Sequence, residues 1–112
     1  IYVLRAGSGI DDRIIGVVAS ILLTTSLLGK EKPIVATATS EEGLIKVSAR
    51  ATEQMAKAGI DLGEAMMKSA EKFSGRGGGH DIAAGAFLQE MEEKEFLELV
   101  DEFVGRQMGS KK

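Results

Sequence analysis

Hydrophobic and polar positions alternate with two different periods along this chain. Residues 2–4 are a short apolar run that stops at Gly7-Ser8-Gly9, a pattern that predicts a strand and then a turn. From residue 14 to 28 nearly every position is apolar or a small hydroxyl. Asp11 or Asp12 stands ready to cap this block and Gly29 follows it, which predicts a helix. Its apolar residues are too numerous for one narrow stripe, so burial on more than one side is expected. Residues 34–39, opened by Pro33, are rich in β-branched side chains, and Ser40-Glu41-Glu42-Gly43 suits a hairpin leading into residues 44–50. In that second strand Ile45, Val47 and Ala49 point one way, and Lys46, Ser48 and Arg50 the other.

Further along, residues 51–58 are compatible with a short helix. Residues 62–73 read as an amphipathic helix, with Leu62, Ala65, Met66, Ala70 and Phe73 on one side. The glycine-rich residues 75–80 read as a loop. Residues 82–88 read as a strand, because Gly85 weakens a helix there and Glu92-Glu93 opens a better one. That last helix spans residues 92–107, with Phe96, Leu97, Val100, Phe103 and Val104 inward and Glu95, Glu98 and Glu102 outward. The order β-α-β-β-α-β-α predicts a mixed sheet with helices packed on it, an α/β domain, with α+β as the other option.

Composition narrows the chemistry. The chain has 112 residues, 14 basic and 17 acidic, a net charge of −3. That length suits a single domain over residues 1–112. No cysteine is present, which excludes disulfides and thiolate metal sites, and one histidine excludes any site that needs two. The apolar run 14–28 is shorter than the roughly 20 residues of a membrane span and is flanked by charge, so a buried helix, no membrane contact and a cytoplasmic location are expected. The chain opens on Ile1, not methionine, and a piece of a longer protein is expected. The acidity is concentrated after residue 80, and the acidic run 90–102 reads as the wet face of a helix. A bulk basic field for nucleic acid is absent, so anion binding needs a local site. The methionines read as core filler.

Two features could form such a site. Gly75-Arg76-Gly77-Gly78-Gly79-His80 could present main-chain N–H groups to an anion, with Arg76 and His80 as further donors; it could equally be a flexible surface loop. Arg50 at a strand end can make a bidentate contact with phosphate or carboxylate, with the Ser48 hydroxyl and Lys46 on the same face; a solvated strand face is the other reading. His80 has only Asp81 as an adjacent carboxylate, so no metal site is expected. Other phosphate motifs fail. Position 12 is Asp12 where a dinucleotide fingerprint after Gly7-Ser8-Gly9 needs glycine, and no Walker lysine occurs.

The block Gly77-Gly78-Gly79-His80-Asp81-Ile82-Ala83-Ala84-Gly85-Ala86, with Val47-Ser48-Ala49-Arg50 upstream, resembles the signature of the DHH-associated C-terminal domain of DHH-family phosphoesterases. The resemblance covers nearly the whole chain. It implies a substrate-binding domain that serves a separate DHH domain, in which a divalent metal (manganese or magnesium) activates water. It implies no cofactor and no catalytic residue in this chain. By the same resemblance Gly77, Gly78 and Gly79 present backbone to a substrate phosphate, His80 contacts a phosphate near the scissile bond, and Arg50, beside Ser48, clamps a neighbouring one. The helix and strands before VSAR look most like archaeal RecJ-like single-stranded-DNA exonucleases. That implies single-stranded nucleic acid or oligonucleotide as ligand, the DHH domain as partner, and association with the GINS replication complex. The alternatives are oligoribonucleases with adenosine-bisphosphate phosphatase activity, cyclic-dinucleotide phosphodiesterases, and a non-catalytic RNA-binding module like the tail of alanyl-tRNA synthetase.

Overall fold

The computed structural model describes residues 1–25, 32–73 and 75–109. Strands β1 (Tyr2–Arg5), β2 (Ile34–Thr39), β3 (Leu44–Arg50), β4 (Arg76–Gly79) and β5 (Ala83–Gln89) form one sheet in the order β1-β2-β3-β5-β4. β1 runs parallel to β2, and the other neighbours are antiparallel. A parallel pair needs a crossover, and helix α1 (Ile15–Thr24) provides it. Helices α2 (Glu53–Lys57), α3 (Leu62–Ala70) and α4 (Glu93–Gly109) complete an α+β domain.

One expected element type changes. The glycine run is not a loop but the edge strand β4, registered on β5 as Gly77↔Ala86, Gly78↔Gly85 and Gly79↔Ala84. Glycine is disfavoured in strands because it packs nothing, and here that is its use: helix α3 lies directly on the strand. A Cβ at Gly77 would sit 2.5 Å from the Met66 carbonyl oxygen, and one at Gly63 only 2.3 Å from that of Gly79. The short segment after β3 is the helix α2, capped by the Thr52 side chain, which accepts from the Met55 N–H.

Residues directly opposed across antiparallel strands share a face. One face carries Val35, Val47, Ala49, Ala86 and Leu88, all buried; α3 packs on this side against β4 and β5, and α4 packs on α3. The other carries Lys46, Ser48 and Arg50 of β3, Ala83, Gly85 and Phe87 of β5, and Arg76 and Gly78 of β4. Among the described residues only α1 crosses that second face, over β2 and β3.

Helix α1 is not buried on more than one side. Ile15, Ala19 and Leu23 face the sheet at 0%, 0% and 7% exposure, while Ile14, Val17 and Ile21 stand 50%, 60% and 57% exposed. The aspartates do not cap it by side chain: Ile14 is the N-cap, and Asp11 instead orders the preceding turn by accepting from the Arg13 N–H at 2.8 Å. The expected end at Leu28 and Gly29 lies outside the described residues. No helix among the described residues is long and apolar enough to cross a membrane.

Glu93 departs from the wet-face reading of residues 90–102. It is buried at the start of α4, where Arg5 Nη2 donates to Oε1 at 3.0 Å and Thr37 Oγ1 donates to Oε2 at 2.5 Å. Met55 and Met66 are core residues as expected, whereas Met67, Met91 and Met108 are exposed.

Candidate functional site

Because α1 covers only the β2–β3 half of its sheet face, the β3–β5–β4 half is open among the described residues. A cleft of about 580 Å³ lies there. Its floor is low because the side chains on it are small: Ala83, Gly85 and Gly78 succeed one another on β5 and β4. A Cβ at Gly78 would meet nothing within 4 Å, so this point of the floor is bare backbone open to a ligand. The wall is the first turn of α1, with Gly16 and Val17, and Arg13 just before its N-cap. Around the rim stand Lys46, Arg50, Arg76 and Phe87. Among the described residues four cations thus line the cleft and no carboxylate does, in a chain of net charge −3.

The rim cations are not equivalent. Arg13 grips Asp11 through Nε and Nη2, the latter at 2.6 Å. That hydrogen bond holds the exposed Asp11 carboxyl down to about 2, so this pair persists through the neutral range. Arg50 is positioned differently. Its Nη1 donates to the carbonyls of Ala49 at 2.8 Å and Ala84 at 3.4 Å, which ties the guanidinium to the ends of β3 and β5. Among the described residues only Nη1 engages protein acceptors, so Nε and Nη2 stay available to an anion.

Glycine at position 16 makes room for that pose. A Cβ there would lie 2.5 Å from Arg50 Nη2 and 3.5 Å from Ser48 Oγ. The near atom is the end of a flexible side chain, so Gly16→Ala is expected to leave stability within about 0.5 kcal/mol while displacing the guanidinium. The checks are urea unfolding, which should not move, and phosphate-ligand affinity, which should fall.

The structure brings Ser48, Arg50, Gly77, Gly78 and Gly79 to this one cleft. Ser48 is only 5% exposed and Arg50 half-buried, so their strand face is not simply solvated: α1 shields it. His80 is placed elsewhere. It is exposed at the turn after β4, its N–H donating to the Ala83 carbonyl at 2.8 Å, and it does not line the cleft. The glycine amides do not curl into a concavity either. In an edge strand alternate N–H groups are taken by the neighbouring strand, and the glycines act through what they lack.

Arg13, Gly16, Val17 and Phe87 escape the sequence reading. Only Phe87 left a local signal, as the third member of the alternation Ala83, Gly85, Phe87. Among the described residues no three histidine or carboxylate side chains converge as a metal site.

Comparison with known proteins agrees with this architecture. Residues 1–106 match the family model described as the DHHA1 domain. An uncharacterized protein of Methanocaldococcus jannaschii is 38% identical over 94 residues, which are 84% of this chain and 20% of that protein. The structure of RecJ in complex with Mn2+ from Thermus thermophilus superposes with a TM-score of 0.68 at 30% identity, over 94% of this chain and 14% of that one. The C-Ala domain of Aquifex aeolicus alanyl-tRNA synthetase shares the fold with a TM-score of 0.67 at 12% identity, over 95% of this chain and 90% of that one. This chain thus spans a small part of its curated relative and of RecJ but nearly all of the synthetase domain. With residues 1–106 matched to that family model, the chain belongs to the DHHA1 domain family.

Proposed function

We propose that this domain is the substrate-binding arm of a DHH-family phosphoesterase, and that its cleft grips the sugar–phosphate backbone of a single-stranded nucleic acid. One observation carries this reading: a low floor of glycine and alanine which, among the described residues, is lined by four cations (one of them, Arg13, paired with Asp11) and by no carboxylate, on a chain whose overall charge is negative. A phosphodiester can settle against such a floor, and the Arg50 fork can take two of its oxygens. Similarity to RecJ over 94% of the chain supports the RecJ-like exonuclease among the family's activities. In this reading hydrolysis and the divalent metal belong to a DHH domain outside this chain. His80, exposed beyond the cleft, is then free to meet a phosphate on the catalytic side.

The test is binding by the full-length protein of 5′-phosphorylated single-stranded DNA, single-stranded RNA, a linear dinucleotide and transfer RNA. A charge-assisted contact is worth about 1.5–3 kcal/mol, so Arg50→Ala should weaken the favoured ligand by roughly 10- to 100-fold and reduce the salt slope by about one. Unchanged affinity in this variant overturns the assignment. Preference for the dinucleotide or for transfer RNA would move the function to a dinucleotide phosphodiesterase or to a synthetase-like RNA module.

A further inference from the structure

Phe87 is not needed by a site that takes phosphate alone, yet it is 46% exposed and lines the cleft. A large aromatic on a sheet face normally packs under a helix, and α1 does not extend this far. Among the described residues no other ring and no cation stacks on it. Its neighbours across the sheet are informative. Lys46 on β3 and Arg76 on β4 are both registered directly opposite Phe87, so one rung of the open face reads cation–aromatic–cation. The next rung is Ser48–Gly85–Gly78, the bare floor, and the one after begins with Arg50–Ala83. Successive rungs on one face are two residues apart, or about 6.5–7 Å. That is the scale of one nucleotide step in an extended strand.

From this juxtaposition we infer that Phe87 is a base-stacking residue, so that the cleft takes a run of at least two nucleotides by one phosphate on the Gly78–Gly85 floor and one unstacked base on the Phe87 ring, with Lys46 and Arg76 on the flanking phosphates. The inference rests on the nucleic-acid reading above and deepens it. A base inside a duplex has no free face to offer, so the ligand is single-stranded. Stacking is indifferent to base identity because every base has a π-face, so the site is tolerant of sequence.

The test uses the full-length protein in chelator, which prevents cleavage, and two 5′-phosphorylated DNA hexamers: one with bases, one with abasic sugars throughout. Phe87→Ala should weaken the base-bearing strand by roughly 5- to 100-fold, the range of one base–aromatic stack, and leave the abasic strand within about twofold. Phe87→Tyr should restore the base-bearing affinity, which a merely misfolded site would not show. Unchanged binding of the base-bearing strand by Phe87→Ala overturns the inference. So does equal weakening of both strands. Arg50→Ala should weaken both strands alike. If it weakens neither, the phosphate-gripping reading fails, while the Phe87 comparison still decides whether a base stacks there.

Discussion

Gly63→Ala should destabilise this chain by about 2–3 kcal/mol, although alanine is the better helix former. Position 63 lies in the first turn of α3, where the exchange gains at most about 1 kcal/mol of helix propensity. Against that, the new methyl would sit 2.3 Å from the Gly79 carbonyl oxygen and 2.8 Å from its carbon. Both atoms are backbone in a paired strand and cannot rotate away, so the helix must lift. Overpacking of this kind costs about 1–3 kcal/mol and occasionally more, and the loss exceeds the gain. Gly77→Ala attacks the same seam from the strand side, 2.5 Å from the Met66 carbonyl oxygen, and should cost a similar amount. The two losses should not add, because either one already separates α3 from β4. Gly105 in α4 is the control. Nothing lies within 4 Å of its Cβ position, so Gly105→Ala should stabilise by about 0.5–1 kcal/mol. Urea midpoints of the three single variants check the sign at each position; a stabilising Gly63→Ala would show that α3 does not lie on β4.

Removing Glu93 has the other large expected effect. Its carboxylate is shared by Thr37 and Arg5, and the two acceptor bonds are not of equal weight. Arg5 is more than half exposed and recovers water, so its share is below about 1 kcal/mol. Thr37 is wholly buried in β2, and Glu93→Ala leaves its hydroxyl without an acceptor, at about 1–3 kcal/mol. The total loss should be about 2–3 kcal/mol by urea unfolding, whereas Arg5→Ala should cost less than about 1 kcal/mol. The interaction also carries a pH signature. Burial pushes the Glu93 carboxyl up, but the hydrogen bonds from Arg5 and Thr37 and the charge of Arg5 outweigh it, and the net shift is downward. A carboxyl with a folded pKa below its unfolded value contributes stability above the unfolded pKa, about 4.3, and loses it as pH falls through the folded one. The gap between wild type and Glu93→Ala should therefore be full at neutral pH and shrink below about pH 4. A gap that does not change with pH would mean that Glu93 is not held ionised.

These particulars show what could be read from the sequence. The hairpin of β2 and β3, the strand β5 and the helices α3 and α4 announce themselves because each repeats at its own period, two or near three and a half. Arg50 stands out by its place in that alternation, and the glycine block by its composition. Burial is less accessible. Helix α1 is apolar enough for a core, but its outer face has no layer above it within the described residues, and Ile14, Val17 and Ile21 stay exposed. The burial of Glu93 depends on Arg5 and Thr37, which are 88 and 56 residues away in sequence, so no window along the chain contains the reason for it. The strand at the glycines is hidden most fully. Propensity argues against it, and only the close approach of α3 makes an absent side chain an advantage. His80 is next to the glycines in sequence but does not line the cleft, whereas Phe87 lies on a different strand from them and does.

The composition of the cleft floor has a further consequence for how such a surface can vary. Main-chain atoms are the same whatever residue supplies them, so no exchange at Gly78 or Gly85 can offer a new donor without also adding bulk. Variation at these points is one-directional: it can fill the trough but cannot retune it. Differences in ligand preference among related domains should therefore be written in the side chains at the margin, at positions 46, 50, 76 and 87, over an unchanging base.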